Sequence, residues 1–284
     1  MAPRFSPVWL VLFGILSVQL GAAVAKALFG EISPTGMVWL RQVTSAVVLG
    51  LVARPAWRGR TREDWLVVVA FGVALGVMNW AFYQAFARIP LGVAVTIEFV
   101  GPLSIAMLGS RRARDLLWVL LAGTGVLLLG LQPGDVTLAG AGFALLAGAC
   151  WAAYILLSAR TGARWPGLDG LAVASIVATV LLAPLAIGSA GEALLDPRIL
   201  AIGALVGLLS SVIPYSFELV ALRRLRPAVF SILMSLEPAA AALAAIVVLG
   251  EYLTPPQWVA MACVVVASVG ATRSGRALAE PAPD

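Results

Sequence analysis

The chain has 284 residues, of which 61% are hydrophobic and 12% charged, and a mean hydropathy of +1.00; that leaves too little polar surface to coat a water-soluble globule. The net charge of +5 does not signal nucleic acid, because the nineteen basic residues fall mostly in short gaps between apolar runs. With no histidine, no Cys-x-x-Cys pair and Lys26 as the sole lysine, a zinc site, histidine-based catalysis and a GxxxxGK phosphate loop are excluded, so no metal, cofactor or enzymatic turnover is expected.

A helix needs about 20 mostly apolar residues to cross a bilayer. In chain order ten stretches fit: Pro7–Leu28, Thr35–Ala53, Trp65–Phe86, Ile89–Gly109, Leu116–Leu131, Leu138–Ser158, Leu168–Ile187, Leu200–Val220, Pro227–Leu249 and Pro256–Ala271. The first run ends in Ala23-Val24-Ala25 and imitates a cleavable leader, but the pattern of five plus five spans needs it as a span. Basic residues collect in cytoplasmic loops. With the N-terminus inside, fifteen of the nineteen fall on the inner side: Arg4, then Arg54 to Arg62, Arg111 to Arg114, Arg160 and Arg164, Arg223 to Arg226, and Arg273 with Arg276. Arg88 and Arg198 remain outside, and Lys26 and Arg41 lie within spans. The expected fold is therefore an all-α integral membrane protein of ten transmembrane helices, N- and C-termini cytoplasmic, multi-pass in a plasma membrane.

The halves resemble one another. Pro90 lies twelve residues before Pro102, and Pro227 lies eleven before Pro238. Five spans is an odd number, so a second copy enters the membrane upside down, giving two inverted five-helix repeats over residues 1–132 and 133–273, with a short tail at 274–284. Each repeat carries one carboxylate in mid-span, Glu98 and Glu237. An ionised group at that depth costs roughly 2.5–3.5 kcal/mol, which marks both as candidates for a transport site; interhelical packing is the alternative.

Several motifs in order carry a family resemblance: SVQLGAAVAKALF (Ser17–Phe29), GVMNWAFY (Gly76–Tyr83), IPLGVAVTIEFVGPL (Ile89–Leu103), Ser110-Arg111-Arg112, GACWAAYIL (Gly148–Leu156), IPYSFELVAL (Ile213–Leu222), and LMSLEPAAAAL with the following LGE (Leu233–Glu251). The chain resembles the EamA-type members of the drug/metabolite transporter superfamily, most closely those of bacteria that export threonine and homoserine. The resemblance implies a bacterial inner-membrane exporter of small amino acids, driven by proton antiport. Its partners would be an amino-acid substrate, protons and membrane lipid, with no nucleic acid; a homo-oligomer stays open, and so do another metabolite such as an aromatic amino acid or a drug-like cation as the substrate, and a membrane scaffold that transports nothing.

An amino acid needs a cation or donors for its carboxylate and a carboxylate or carbonyls for its ammonium. Lys26 and Arg41 are the candidates for the first task, Arg41 with a bidentate fork; Lys26, near a span end, also fits a snorkelling lysine. Glu98 and Glu218 are the candidates for proton coupling, since a carboxyl in a low-dielectric cavity binds and releases a proton as access changes. Asn79 with Tyr83, Trp151 with Tyr154, and Ser211 with Tyr215 and Glu218 share helix faces at spacings of three or four, so Asn79, Tyr83, Trp151, Tyr154 and Tyr215 are expected on the substrate wall. Pro102, Glu237 and Pro238 are read as hinge or packing positions. Gly72 with Gly76, and Gly203 with Gly207, form GxxxG pairs for close helix crossings.

Overall fold

The computed structural model describes residues 7–108, 116–130, 136–222, 225 and 227–275. Among them the chain is helical throughout, without strands: α1 (Pro7–Ala27), α2 (Pro34–Ala53), α3 (Arg62–Phe86), α4 (Leu91–Glu98), α5 (Val100–Leu108), α6 (Leu116–Gly130), α7 (Leu138–Gly162), α8 (Asp169–Ala190), α9 (Pro197–Gly207), α10 (Ile213–Leu222), α11 (Pro227–Met234), α12 (Glu237–Ala244) and α13 (Pro255–Gly275). Eight helical stretches are long and apolar enough to cross a membrane, and Leu91–Ile105 and Leu116–Leu129 are shorter apolar helices.

Local chemistry sets the helix ends. Ser33 caps α2 by accepting from Gly36 N at 3.0 Å, with Pro34 at the first position, where a missing N–H is harmless. Thr61 and Asp64 form a capping box that starts α3 three residues before the apolar run at Trp65. Pro90, which has no side-chain acceptor, precedes α4; the Leu91 N–H is met instead by Glu251 Oε2 at 3.0 Å, from a distant loop.

Three of the stretches expected as single spans are interrupted. Ile89–Gly109 breaks at Phe99 between α4 and α5, and Pro227–Leu249 breaks at Ser235 and Leu236 between α11 and α12. Leu200–Val220 widens into a π-turn at Leu208–Val212 between α9 and α10. Each interruption lies next to an in-span proline. Proline has no N–H to offer the carbonyl four residues earlier, so Pro102 leaves that of Glu98 without its helical donor, Pro214 that of Ser210, and Pro238 that of Met234.

The helices pack in a pattern that exchanges the halves: α3 against α7 and α8, α1 against α10 and α12, α2 against α8 and α9, α4 against α7 and α12, and α6 against α13. Both GxxxG pairs sit at such crossings. Gly72 lies over Val177 and the Ala174 carbonyl on α8, and Gly207 lies over Thr44 on α2. Outward faces keep large apolar side chains exposed, among them Leu51, Leu127, Val180 and Val247, as contact with lipid rather than water requires.

Candidate functional site

A cavity of about 480 Å³ occupies the middle of the bundle. It is lined by residues of α1, α2, α3, the α4–α5 break, α7, the Leu208–Val212 turn, α10, α11, α12 and α13. Its wall includes Trp151 to Ser158 in the second half of α7, Ser268 and Thr272 late in α13, and Phe230 to Met234 on α11, so it extends toward the end of the bundle where α7 finishes and α11 begins. At the opposite end Phe86 stacks on Phe29 (5.4 Å between ring centres) and meets Tyr83 (4.7 Å) and Phe82 (4.9 Å), which fills that end with aromatic rings.

Arg41 is the cation of this cavity. Only 7% exposed, it donates from Nε to Ser211 Oγ at 3.2 Å and from Nη2 to the Ser210 carbonyl at 2.9 Å. That carbonyl is the one Pro214 leaves without a helical partner, so the proline and the π-turn together build the cradle for the guanidinium. The Tyr83 ring lies 5.9 Å from the guanidinium carbon. Among the described residues no carboxylate comes within ion-pair distance of Arg41, so neutral groups hold its charge. A buried charge held this way favours an anionic ligand.

Glu98 and Glu237 line the same cavity as Arg41. Glu98 is the last residue of α4 and Glu237 the first of α12, each beside a break. Gly148 and Gly101 let α7 approach the first break closely: a Cβ on Gly148 would lie 2.6 Å from the Glu98 carbonyl oxygen, and one on Gly101 would collide with the Gly148 carbonyl. Trp151 packs its ring edge-on against Phe99, the break residue itself, at 5.5 Å.

Of the residues the sequence singled out, Arg41, Asn79, Glu98 and Pro102 converge on this cavity with Trp151, Tyr154, Tyr215 and Glu237. Asn79 Nδ2 donates to its own helix at Leu75 O (2.8 Å), and Tyr154 leans on Phe71 (5.0 Å). Tyr83 is fully buried behind Arg41 rather than on the wall, and Pro238 is likewise off it. Lys26 is elsewhere. It forms an ion pair with Glu251 at 2.5 Å, donates to the Ile89 carbonyl at 2.9 Å, and belongs to a separate recess shared with Arg88 and Tyr252. Glu218 belongs to α10, but its side chain lies outside the described residues.

Sequence reasoning missed Gln19 and Ser210, both on the wall and both 2% exposed. The signal was present: a lone glutamine, and a serine four residues before an in-span proline, each within a membrane-length apolar run. Ser231, Ser268 and Thr272 were missed as well; they join α11 to α13 through Ser231 with Thr272 (3.2 Å) and Ser235 with Ser268 (2.8 Å).

Residues 138–273 match the EamA-like transporter family. The chain is 41% identical over 281 residues to the threonine/homoserine exporter RhtA of Escherichia coli K12, covering 96% of this chain and 95% of that protein. The exporter of the same name from Salmonella typhimurium SL1344 is 41% identical over 274 residues, covering 95% and 92%. An uncharacterized transporter of Bacillus subtilis, YwfM, is 28% identical over 209 residues, 70% of each chain. A solved crystal structure of a protein with 19% sequence identity shares the fold, with a TM-score of 0.65 over 96% of this chain and 99% of that one.

Proposed function

Because the chain belongs to the EamA-like transporter family, we propose that it is a secondary active transporter of the bacterial inner membrane that exports small amino acids such as threonine and homoserine in exchange for protons. The observation that carries this reading is Arg41: a buried guanidinium on the cavity wall, cradled by neutral groups, with two carboxylates across the same space. A zwitterion answers both needs. Its carboxylate meets the unused donors of Arg41, and its ammonium faces the wall of Glu98 and Glu237. The names of the exporters from Escherichia coli and Salmonella typhimurium support the same substrate class.

Glu98 is the proposed proton carrier. A proton and a substrate ammonium compete for one carboxylate, so release of either prepares the site for the other, which is the elementary requirement of antiport. Glu218 keeps its place as a second candidate for proton coupling on sequence grounds. Asn79, Trp151, Tyr154 and Tyr215 shape the wall around the substrate, and Tyr83 backs Arg41.

The proposed topology is ten transmembrane helices in two inverted repeats, with both termini cytoplasmic. The exchanged packing of the halves supports it, since α3 on α7 answers α1 on α10, and α4 on α7 answers α1 on α12. In this orientation the cavity faces the cytoplasm and the Phe29–Phe86 cluster closes the outer end. Transport by alternating access then requires that cluster to part. The aromatic wall of Phe99, Trp151 and Tyr154 favours one second reading, a larger aromatic amino acid or drug-like cation carried by the same fold.

Flux of threonine and homoserine in proteoliposomes with an imposed pH gradient tests the proposal. Flux that collapses on adding a protonophore is expected. Flux indifferent to the gradient would reduce the protein to a facilitator, and absence of both fluxes would remove the substrate assignment.

A further inference from the structure

A guanidinium carries its five N–H donors in one plane, and they pair into two forks: Nε with Nη2 along the side, and Nη1 with Nη2 across the end. The protein occupies the side fork of Arg41. Ser211 Oγ accepts from Nε at 3.2 Å and the Ser210 carbonyl accepts from Nη2 at 2.9 Å, so two adjacent residues of one turn meet two adjacent donors. Nη1 makes no hydrogen bond among the described residues and is not fully buried, and Arg41 lines the cavity, so the end fork is the part of the guanidinium open to a ligand.

Close packing brings the π-turn to the guanidinium. A Cβ on Gly203 would lie 2.7 Å from Leu40 Cβ and one on Gly207 would lie 2.5 Å from Thr44 Cβ, so α9 runs tightly against α2 on both sides of Arg41 and delivers the turn that follows it. The two acceptors of that turn differ in kind. The Ser210 carbonyl is backbone, freed by Pro214, and is present whatever side chain stands there. The Ser211 hydroxyl is a side chain, 2% exposed and off the cavity wall, so it touches the cation and not the ligand. One bond to Nη2 leaves the guanidinium free to turn about it; the second, to Nε, fixes its plane.

We infer that Ser211 is a positioning residue for substrate binding, which holds Arg41 by its side so that the Nη1–Nη2 fork meets the substrate carboxylate end-on. The inference rests on the amino-acid export proposed above and adds to it the edge of Arg41 that the carboxylate meets and the residue that aims it. A carboxylate takes two parallel N–H bonds from such a fork only while the fork keeps its orientation, whereas a hydroxyl in the same place has a single oxygen to offer and depends less on the aim.

Threonine and L-threoninol differ in one group, a carboxylate against a hydroxymethyl, so the threonine KM and the inhibition of threonine flux by threoninol in proteoliposomes are the readout. The unaltered protein is expected to bind threonine the more tightly. Ser211→Ala is expected to raise the threonine KM by about tenfold, the scale of a hydrogen bond to a charged group, with little change in kcat or in the threoninol inhibition constant. Ser211→Thr keeps a hydroxyl and is expected to restore the KM. Ser211→Cys, close in shape but with a weakly accepting sulfur, decides the matter should Ser211→Ala fail to fold. A loss shared equally by the two compounds, a fall in kcat at constant KM, or no change would overturn the role of Ser211. Unaltered protein that binds the two compounds alike overturns the inference while leaving the transporter standing. Protein that moves no threonine overturns the amino-acid assignment, and the role of Ser211 with it.

Discussion

The two broken helices carry the same ingredients, a glutamate and a proline within an apolar run, yet they set their carboxylates in opposite electrostatic surroundings. In the first, Glu98 ends α4 and the proline follows four residues later, so the carboxylate stands at the C-terminal, negative end of that helix. In the second, Glu237 begins α12 with Pro238 directly after it, so the carboxylate sits at the positive end, among N–H groups that no carbonyl of its own helix accepts. The interruptions differ in extent as well. The first spans Phe99 alone, with Phe99 N still bonded to Val95 O at 3.0 Å, whereas the second takes in Ser235 and Leu236, with a tight Leu236 N to Leu233 O bond at 3.0 Å. The same ingredients thus do not give the same chemistry. A cation, whether proton or ammonium, is favoured beside Glu98, while Glu237 already has a partial positive charge to face.

The largest effects should separate these two residues. Glu98→Gln is expected to abolish pH-driven threonine flux in proteoliposomes while leaving a folded protein, as judged by an unchanged elution profile in detergent. Glu237→Gln is expected to lower flux by no more than about tenfold, the scale of a helix-terminus interaction of ~1 kcal/mol. Equal losses in the two variants would erase the distinction, and full pH coupling in Glu98→Gln would remove it as the proton carrier.

How far the sequence reveals this site follows from the same physics. A charged side chain in a membrane-length run is conspicuous, so Arg41, Glu98 and Glu237 could be singled out from composition alone, as could the aromatic and polar stripes on α3 and α7. Neutral polar residues are quieter, and Gln19 and Ser210 gain meaning only once the cavity wall is assembled around them. Long-range pairing is not legible at all: Lys26 presents as a substrate cation until Glu251, 225 residues later in the chain, is found against it. The helix breaks were signalled by prolines, but whether a proline gives a one-residue turn, a π-turn or a wider gap depends on what packs beside it. At the first break, Gly148 lets α7 pack against the Glu98 carbonyl.

Gly148→Ala should therefore cost more than its single methyl suggests. The added carbon would meet the Glu98 carbonyl at 2.6 Å, against backbone that has little freedom to retreat, and overpacking of this kind costs about 1–3 kcal/mol. Gly14, on the helix that packs beside the second break, has its nearest neighbours at 3.7 Å from an added Cβ and is the control. Thermal unfolding in detergent should show a lowered midpoint for Gly148→Ala and little change for Gly14→Ala. Equal midpoints would mean that the first break is not held by close approach of α7.

The smallest effect is expected at the other end of α4, where a third carboxylate completes the comparison. Glu251 accepts from Leu91 N and pairs with Lys26, so it meets both the positive end of a helix and a cation, the reverse of the surroundings of Glu98. Both side chains are partly exposed, at 16% for Lys26 and 24% for Glu251, which limits the pair to about 1 kcal/mol of stability. Replacing Lys26 with Gln should lower the unfolding midpoint slightly, and Glu251→Gln slightly more, because it also weakens the cap on α4. Neither should raise the threonine KM as removal of the Arg41 guanidinium would, since Lys26 and Glu251 lie outside the cavity. A KM raised as strongly by Lys26→Gln as by Arg41→Gln would place the substrate carboxylate at the far recess, and the asymmetry between the ends of α4 would then concern binding rather than stability.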